Sequence, residues 1–428
     1  MTDDTPAPAE YSPGYLRYAL GLLTAVYTFN FIDRQILVIL QESIKQEMGL
    51  SDAALGLLSG FTFAIFYVTA GLPIARIADR GVRRNVIAVS VAVWSLMTAI
   101  SGLAQTFWQL LAARIGVGLG EAGGSPPAHA IISDYFPFEQ RGRALSIFHT
   151  GIYLGILTGF LAGGWINQYF GWRMAFFVVG LPGLFIALLV RLTIREPRRG
   201  HSDGAVVAAP QPPLWSTITQ IWQLSSFRWM ALATGFTAFV TYGAGNFAPS
   251  LLARSFHLEP RDIGMVMALT VGVGGMCGTY LGGTLADRLG RRDRRWYLWM
   301  PAASLALSLP LRLVAYHSTD IRVFLAVGFV AEVLGATWLP PVVAMSHGIV
   351  PPALRALVSS VLYFVLNLIG LGLGPLTTGL LSDRLSGQLG TESLRWAIML
   401  VCLANIPAVG CYLAAARGLR RDLAQHAH

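Results

Sequence analysis

Apolar runs of about 20 residues recur along the chain from Tyr15 to Ala416 and are separated by short polar stretches. A run of this length crosses the hydrocarbon core of a bilayer as one α-helix. The pattern therefore predicts an all-α membrane protein with twelve transmembrane helices. They span about 15–40, 53–78, 85–104, 107–132, 144–169, 173–192, 227–252, 262–286, 296–316, 322–349, 356–381 and 393–416.

The one long polar stretch, Arg195 to Pro213, divides these helices into two sets of six. We predict a six-helix bundle over 15–194, a cytoplasmic linker over 195–226, a second bundle over 227–416, and cytoplasmic tails at 1–14 and 417–428. Four residues recur 208 positions later, since Leu50, Gly56, Asp79 and Arg80 match Leu258, Gly264, Asp287 and Arg288. Such internal symmetry is typical of secondary transporters, whose site lies between the halves near the midplane.

Composition and charge agree with a membrane location. Of the 428 residues, 54% are hydrophobic and 12% are charged, which is half of the roughly 25% expected for a soluble protein. The net charge of +9 does not indicate a nucleic-acid partner, because the basic residues lie in short loops. With a cytoplasmic N-terminus, 21 Lys and Arg lie in inner segments, eight in outer segments, and only Arg34 and Arg114 inside the membrane. This bias predicts an inner-membrane protein with both termini cytoplasmic.

The cysteines and the N-terminal residues argue against a disulfide-stabilised protein, a zinc site and a cleavable signal peptide. All three cysteines lie in apolar spans, so we predict no disulfide framework and no zinc site. We also predict no cofactor. The first fourteen residues are acidic and rich in proline, so we expect no cleavable signal peptide.

Ionisable residues interrupt two of the predicted membrane helices. Helix 1 contains Asn30, Asp33 and Arg34, and helix 4 contains Arg114 and Glu121. A charge at membrane depth costs at least ~3 kcal/mol, so such residues usually face a bundle interior or a transport path. At ~1.5 Å per residue, Asp33 lies about 27 Å from the inner start of helix 1 and Arg114 about 10 Å from the outer start of helix 4. Both are therefore predicted in the outer half, with Glu121 nearer the middle; the alternative is an ion pair that only fixes helix packing.

We assign provisional roles from this chemistry. Asp33 and Glu121 are candidates for proton coupling or gating, because a nearby guanidinium favours the charged carboxylate while a low dielectric disfavours it. Glu121 is preferred as the coupling carboxylate, since it lies closest to the midplane. The predicted substrate-binding residues are Asn30, Arg34, Arg114, Asn246 and Glu332. Glu332 either contacts the substrate or extends outward.

Other polar and aromatic positions in the helices are interpreted as cavity-lining or packing residues. Tyr242 and Asn246 in helix 7, and Trp338 with Pro340-Pro341 in helix 10, are predicted to interrupt those helices and line a cavity. His129 and His149 are interpreted as packing residues rather than as a proton relay.

Two inner loops carry a repeated acid and arginine pattern. The predicted latch residues are Asp79, Arg80, Arg83 and Arg84 in the first half and Asp287, Arg288, Arg291 and Arg292 in the second. An acid beside a row of guanidinium groups can bridge to a neighbouring helix in one state and release it in another. The alternative is that these arginines only set topology.

Glycines spaced four apart predict close helix packing. Gly151, Gly155, Gly159 and Gly163 share one face of helix 5, as Gly274, Gly278 and Gly282 do in helix 8, and Gly370 and Gly374 in helix 11 resemble the helix 5 pattern.

The residues 283–292, Gly-Thr-Leu-Ala-Asp-Arg-Leu-Gly-Arg-Arg, match the loop signature of the major facilitator superfamily, which the whole chain resembles. Within it, the segment 30–34 together with Arg114 and Gly120-Glu121-Ala122 resembles the Spinster family. The resemblance implies a transporter of lysophospholipids or sphingosine-1-phosphate, with proton dependence in several members. It also implies that Asp33, Arg34, Arg114 and Glu121 form a charged site for the headgroup or the proton. The chain departs from the pattern at Gly123-Gly124-Ser125-Pro126-Pro127 and in the first-half loop.

These observations predict a monomeric, proton-coupled transporter that works by alternating access on a lysophospholipid or sphingolipid-like substrate. The first alternative is a proton symporter or antiporter for a small organic anion or drug-like compound. A membrane enzyme is disfavoured, because the sequence has no evident nucleophile with its base and no metal-type cluster.

Overall fold

The computed structural model describes residues 11–199, 214–351 and 354–424, which are almost wholly helical. Twelve long helices, α1 to α12, follow in order. They are α1 Pro13–Met48; α2 Asp52–Gly56, Leu57–Phe61 and Thr62–Arg80; α3 Arg83–Ser101; α4 Phe107–Glu121 and Ser125–Tyr135; α5 and α6 within Phe138–Thr193; α7 Ser225–Phe256; α8 Pro260–Met267, Ala268–Gly274 and Gly275–Gly290; α9 Trp296–His317; α10 Ile321–Gly335 and Leu339–Gly348; α11 Arg355–Val365, Leu366–Leu373 and Gly374–Leu389; and α12 Ser393–Cys402 and Asn405–Ala424.

The helix count agrees with the sequence pattern. Eight stretches of the described chain are long and apolar enough to cross a bilayer, and two of them, Gln140–Thr193 and Leu357–Leu423, each contain two helices. The broken α4 and the long α7 complete the twelve. A short helix, Leu214–Gln223, precedes α7, and residues 200–213 of the predicted linker lie outside the described part. The division into bundles at 15–194 and 227–416 stays a prediction.

Local sequence explains where the first helices begin and end. The Ser12 side chain accepts a hydrogen bond from the amide of Tyr15, and α1 ends at Gly49 in the left-handed conformation that glycine adopts readily. The predicted loop 41–52 is therefore mostly helical, because α1 continues to Met48 with Ile44 buried. Ser51 caps α2, since its side chain accepts a hydrogen bond from the amide of Ala54.

The glycine faces pack as the sequence predicts. In α5, a Cβ on Gly155 would lie 2.5 Å from the carbonyl oxygen of Thr28 in α1, and Gly151 and Gly159 approach α1 similarly. In α11, Gly374 approaches the carbonyl oxygen of Phe239 in α7. The contact of α1 with α5 is thus repeated by α7 with α11, as expected for two related halves.

Several helices depart from regular α geometry. Segments of α2, α8 and α11 are π-helical, a distortion that often marks functional sites. Both α4 and α10 are interrupted, at 122–124 and 336–338, and each resumes with a proline pair 214 positions apart, Pro126-Pro127 and Pro340-Pro341. The predicted break in α10 is confirmed. The predicted break in α7 is wrong, because polar side chains such as Asn246 leave its backbone hydrogen bonds intact and the helix is continuous.

The apolar core shows where the two halves meet. One cluster, which we call the closed-face core, joins both halves and includes Ile36 and Leu40 of α1 with Phe247 and Leu251 of α7. Toward the opposite face, each half has mainly its own cluster, one around α1 and α6 and one around α7 and α12. The halves are therefore packed together at the face that carries the connection 49–51, which is the predicted outer face.

Candidate functional site

The charged residues of α1 and α4 form two crossed pairs inside the membrane-spanning region. The Arg34 Nε donates to Glu121 Oε2 at 2.8 Å. The Arg114 Nη1 lies 3.6 Å from Asp33 Oδ1, and that oxygen also accepts a 2.6 Å hydrogen bond from Thr98 of α3. Adjacent residues on a helix point about 100° apart, so Asp33 and Arg34 reach different partners. The structure thus brings together all four predicted charged residues.

Aromatic rings surround the Arg34 guanidinium. Its Cζ lies 5.3, 4.9 and 5.2 Å from the ring centroids of Phe31, Phe63 and Tyr67. Cation–π attraction contributes about 0.5–2 kcal/mol per ring, depending on desolvation. Arg34 is consequently held in position by three rings as well as by Glu121, and it retains 17% side-chain exposure whereas Glu121 has none.

The site keeps unused hydrogen-bonding capacity. Within the described residues, Glu121 Oε1, Asp33 Oδ2, Asn30 Oδ1, and Arg114 Nε and Nη1 are buried with no hydrogen-bond partner. Buried polar groups are normally satisfied, so these atoms need an explanation. A carboxylate with one free oxygen can take up a proton, and a free guanidinium donor can bind an anion.

Polar residues of the second half approach this site. The Asn246 amide nitrogen of α7 lies 3.5 Å from the carbonyl oxygen of Ser59 in α2, so it reaches across the two halves. Tyr242 packs against both the α1–α6 cluster and a small cluster with Trp338. Tyr242 therefore lies between the halves beside the charged site.

Glu332 has a partner that the sequence analysis missed. Its Oε2 accepts a 2.8 Å hydrogen bond from Arg312 Nη2, so Glu332 does not extend outward. Arg312 is one of the eight Lys and Arg that the sequence assigns to outer segments. In the structure it is buried in α9, and its Nε donates to Ser308. Its position five residues before the end of α9 suggested the surface, whereas its side chain points into the bundle.

His129 and His149 lie together rather than singly. Their ring centroids are 5.2 Å apart, and both rings pack against Phe148. His149 also lies edge-to-face with Tyr27 of α1. The interpretation as packing residues fits these aromatic contacts. No group of three or more His, Cys, Asp and Glu within the described ranges is arranged to hold a metal ion.

Ion pairs join the two halves at the closed face. Arg254 of α7 donates to both carboxylate oxygens of Asp52 at 2.8 Å and to Glu42 at 2.9 Å. Asp383 of α11 accepts from the amides at the start of α2, at 3.0 and 2.8 Å. Lys45 also donates to Asp52. These residues, which the sequence analysis did not select, hold the face closed.

The predicted latch residues form contacts within each half. Arg83 bridges α4 and the segment after α6, through Asp134 at 2.5 Å and Glu196 at 2.7 Å. Arg84 binds Glu196 and the Ile194 carbonyl. Arg80 is exposed, and the side chain of Asp79 lies outside the described part.

In the second half, Asp287 accepts a 2.8 Å hydrogen bond from Tyr297. Arg288, Arg291 and Arg292 are exposed and make no ion pair with the residues that the structure describes. Nearby, Arg295 and Arg420 hold the pKa of Asp293 well below its usual range, which ties this loop to α12.

The fold and the site resemble those of known membrane transporters. A model of the Major Facilitator Superfamily matches residues 23–309 and 230–426. The chain belongs to the major facilitator superfamily. An MFS-type efflux pump of Mycolicibacterium smegmatis is 32% identical over 426 residues, which cover 99% of this chain and 98% of that protein. Human protein spinster homolog 1 is 28% identical over 405 residues, which cover 87% of this chain and 74% of that protein.

A solved structure gives the same assignment. It is the crystal structure of a bacterial homologue of the human lysosomal transporter Spinster, in an inward-facing and unoccupied conformation. It matches with a TM-score of 0.88 at 31% identity, covering 96% of this chain and 99% of that chain. The twelve-helix fold and the Spinster resemblance are confirmed, and the chain is a multi-pass membrane transporter of the Spinster type. The enzyme alternative is excluded, because the matched family and structures are transporters.

Proposed function

We propose that the protein is a proton-coupled transporter of a lysophospholipid or sphingolipid-like molecule. The observation that carries the proposal is the buried Arg34–Glu121 pair, in which an aromatic cage fixes the guanidinium beside a single, fully buried carboxylate. Arg34 binds the anionic part of the headgroup and Arg114 and Asn30 support it. Apolar and aromatic side chains between the two halves hold the acyl tail.

Proton coupling follows from competition for Arg34. When the substrate anion binds Arg34, Glu121 loses its charge partner, and an unpaired buried carboxylate favours protonation. Loss of the substrate restores the pair and releases the proton. Asp33 is the second candidate, although Thr98 and Arg114 hold it more firmly.

A second candidate function is transport of a small organic anion. The bond between Arg34 and the Glu121 carboxylate supports this candidate, because the same guanidinium donor can bind a carboxylate that carries no tail. The same coupling chemistry then applies, and only the acyl tail distinguishes the two substrates.

Alternating access accounts for the remaining contacts. The Arg254 network closes the predicted outer face, and the latch residues of the two loops organise the predicted cytoplasmic face. We propose that opening one set is linked to closing the other. The proposal places both termini in the cytoplasm, the protein in the inner membrane as a monomer, and protons and the bilayer as its other partners.

The substrate is tested by uptake into proteoliposomes. Native protein, Arg34→Gln and the exposed control Arg322→Gln are supplied with labelled lysophospholipid or with a labelled organic anion. We expect lysophospholipid uptake by native protein and the control and its loss in Arg34→Gln. Uptake of the organic anion alone moves the assignment to the second candidate, and unchanged uptake by Arg34→Gln contradicts the proposed site.

A further inference from the structure

A cavity with an ion pair in its wall lies inside the C-terminal half. Its volume is about 60 Å³, enough for several water molecules or one carboxylate group. Helices α7, α8, α9 and α10 surround it, and Arg312 and Glu332 provide its charges. Thr270 in the π-helical segment of α8 is part of its wall. The wall is therefore mostly apolar apart from these groups, and it includes none of the four charged residues of α1 and α4.

Arg312 is a buried guanidinium in the wall of this cavity. The residue is 5% exposed, its Nη2 donates to Glu332 and its Nε to Ser308. Tyr316, which lines the same cavity, also hydrogen-bonds with it. Glu332 is thus the one carboxylate partner of Arg312 among the residues that line the cavity.

The break in α10 makes room for this guanidinium. A Cβ on Gly335 would meet Arg312 Nη2, so the guanidinium packs directly against the end of the first α10 segment. The carboxyl end of a helix also favours a cation. Arg312 is therefore fixed in place, whereas Glu332 keeps 19% side-chain exposure against 6% for Arg312. Glu332 is the partner that can leave.

The N-terminal half contains the same three side-chain types on the corresponding helices. There, α1 supplies an acid, α3 a threonine and α4 an arginine, namely Asp33, Thr98 and Arg114. In the second half, α7 supplies a threonine, α9 an arginine and α10 an acid, namely Thr241, Arg312 and Glu332. Thr98 donates to Asp33, whereas Thr241 donates to the Thr237 carbonyl oxygen and shares only the cavity wall with Arg312 and Glu332. The two halves are thus alike in residue types, and in the second half these residues border a cavity.

We propose that Arg312 is an oxyanion subsite, which binds a carboxylate or phosphate group of the transported molecule after that group displaces Glu332. Glu332 occupies the subsite as an internal carboxylate when the group is absent. The inference rests on the proposed function in one respect, because it assumes an anionic substrate. Exchange of one anionic group for another requires an arginine that stays in place while its carboxylate partner leaves. Arg312 packs against the end of the first α10 segment and donates a single hydrogen bond to Glu332, so it meets this requirement.

The first test is independent of the substrate. Purified full-length Glu332→Ala in detergent frees Arg312, and acetate at constant ionic strength supplies the missing carboxylate. We expect acetate to recover at least half of the melting temperature lost in this variant. The double variant Arg312→Gln/Glu332→Ala and the surface-pair control Asp262→Ala should show no acetate response. The absence of rescue, or equal rescue in the double variant, overturns the subsite.

The second test uses the isosteric variant Glu332→Gln, which keeps the shape of the cavity. Its affinity for lysophosphatidic acid or glucarate, measured by calorimetry, should rise about tenfold, because no internal charged partner must be displaced. Arg312→Gln should weaken binding about tenfold or more, while an uncharged monoacylglycerol is unaffected by either change. The probe that responds distinguishes a phosphate from a carboxylate group.

The direction in which the affinity of Glu332→Gln changes distinguishes a structural role of Glu332 from its role in this subsite. If Glu332 only stabilises the bundle, Glu332→Gln lowers or leaves unchanged the affinity for both probes, which overturns the proposal. If native protein binds neither probe, the proposed function fails, and the acetate experiment still decides whether Arg312 takes an oxyanion.

Discussion

Replacement of Arg254 by glutamine should open the closed face. Arg254 belongs to α7, whereas its partners Asp52 and Glu42 belong to α2 and α1, so these bonds must break when the halves separate there. Asp52 has 3% side-chain exposure, and its bidentate bond is assigned about 2 kcal/mol. Glu42 is 16% exposed and is assigned about 1 kcal/mol. The sum of about 3 kcal/mol changes the ratio of open to closed molecules by roughly 150-fold.

The variant should fold, because Asp52 keeps two other partners. Lys45 donates to it at 2.5 Å and Ser382 at 2.6 Å. The assay is a distance distribution between spin labels at the exposed positions Gln46 and Gln388, one in each half at this face. Native cysteines Cys277, Cys402 and Cys411 are free and are first replaced.

Native protein should show one short distance, and Arg254→Gln should add a longer one. The matched control is Arg322→Gln, because Arg322 is exposed at the start of α10 and its side chain makes no ion pair with the residues that the structure describes. An unchanged distribution in Arg254→Gln, or an equal change in the control, refutes the view that this network holds the face closed.

Three further changes have defined outcomes. Asp33→Asn leaves the buried Arg114 guanidinium without its carboxylate, so stability should fall by about 3–5 kcal/mol, measured by thermal unfolding in detergent; a fall below about 1 kcal/mol contradicts the pair. Gly56→Val forces a side chain against the backbone of Pro375 and should reproduce the longer spin-label distance at the closed face; native-like distances contradict that contact. The pKa of Asp293 is lowered, so its contribution is present above its unfolded pKa of about 3.9 and is lost only in strong acid. Asp293→Asn should therefore lower the melting temperature equally at pH 5 and pH 8, and a loss at one pH alone contradicts it.

Much of the first-half site was predictable, because its residues stand out against their surroundings. Asp33, Arg34, Arg114 and Glu121 are charges in apolar runs, and the seven-residue spacing on α4 places two of them on one face. The crossed pairing was not predictable. It depends on the rotation of α1 and α4 about their axes, which is set by packing such as the glycine contacts with α5.

The functional residues that were not predicted from the sequence have a different property in common. Arg254, Glu42 and Arg312 lie near helix ends, where a long charged side chain usually reaches the surface. Their burial results from contacts between helices far apart in sequence, including contacts between the two halves. The sequence also did not indicate the π-helical segments of α2, α8 and α11.

Gradient-driven transport by the Glu121→Gln protein tests the central claim most directly. Proteoliposomes are loaded for two measurements, lysophospholipid exchange without a gradient and accumulation under an imposed pH gradient. A neutral amide at position 121 cannot take up and release a proton, so the account predicts that the variant exchanges lipid but no longer accumulates it. Accumulation equal to that of native protein would contradict the assignment of proton coupling to Glu121.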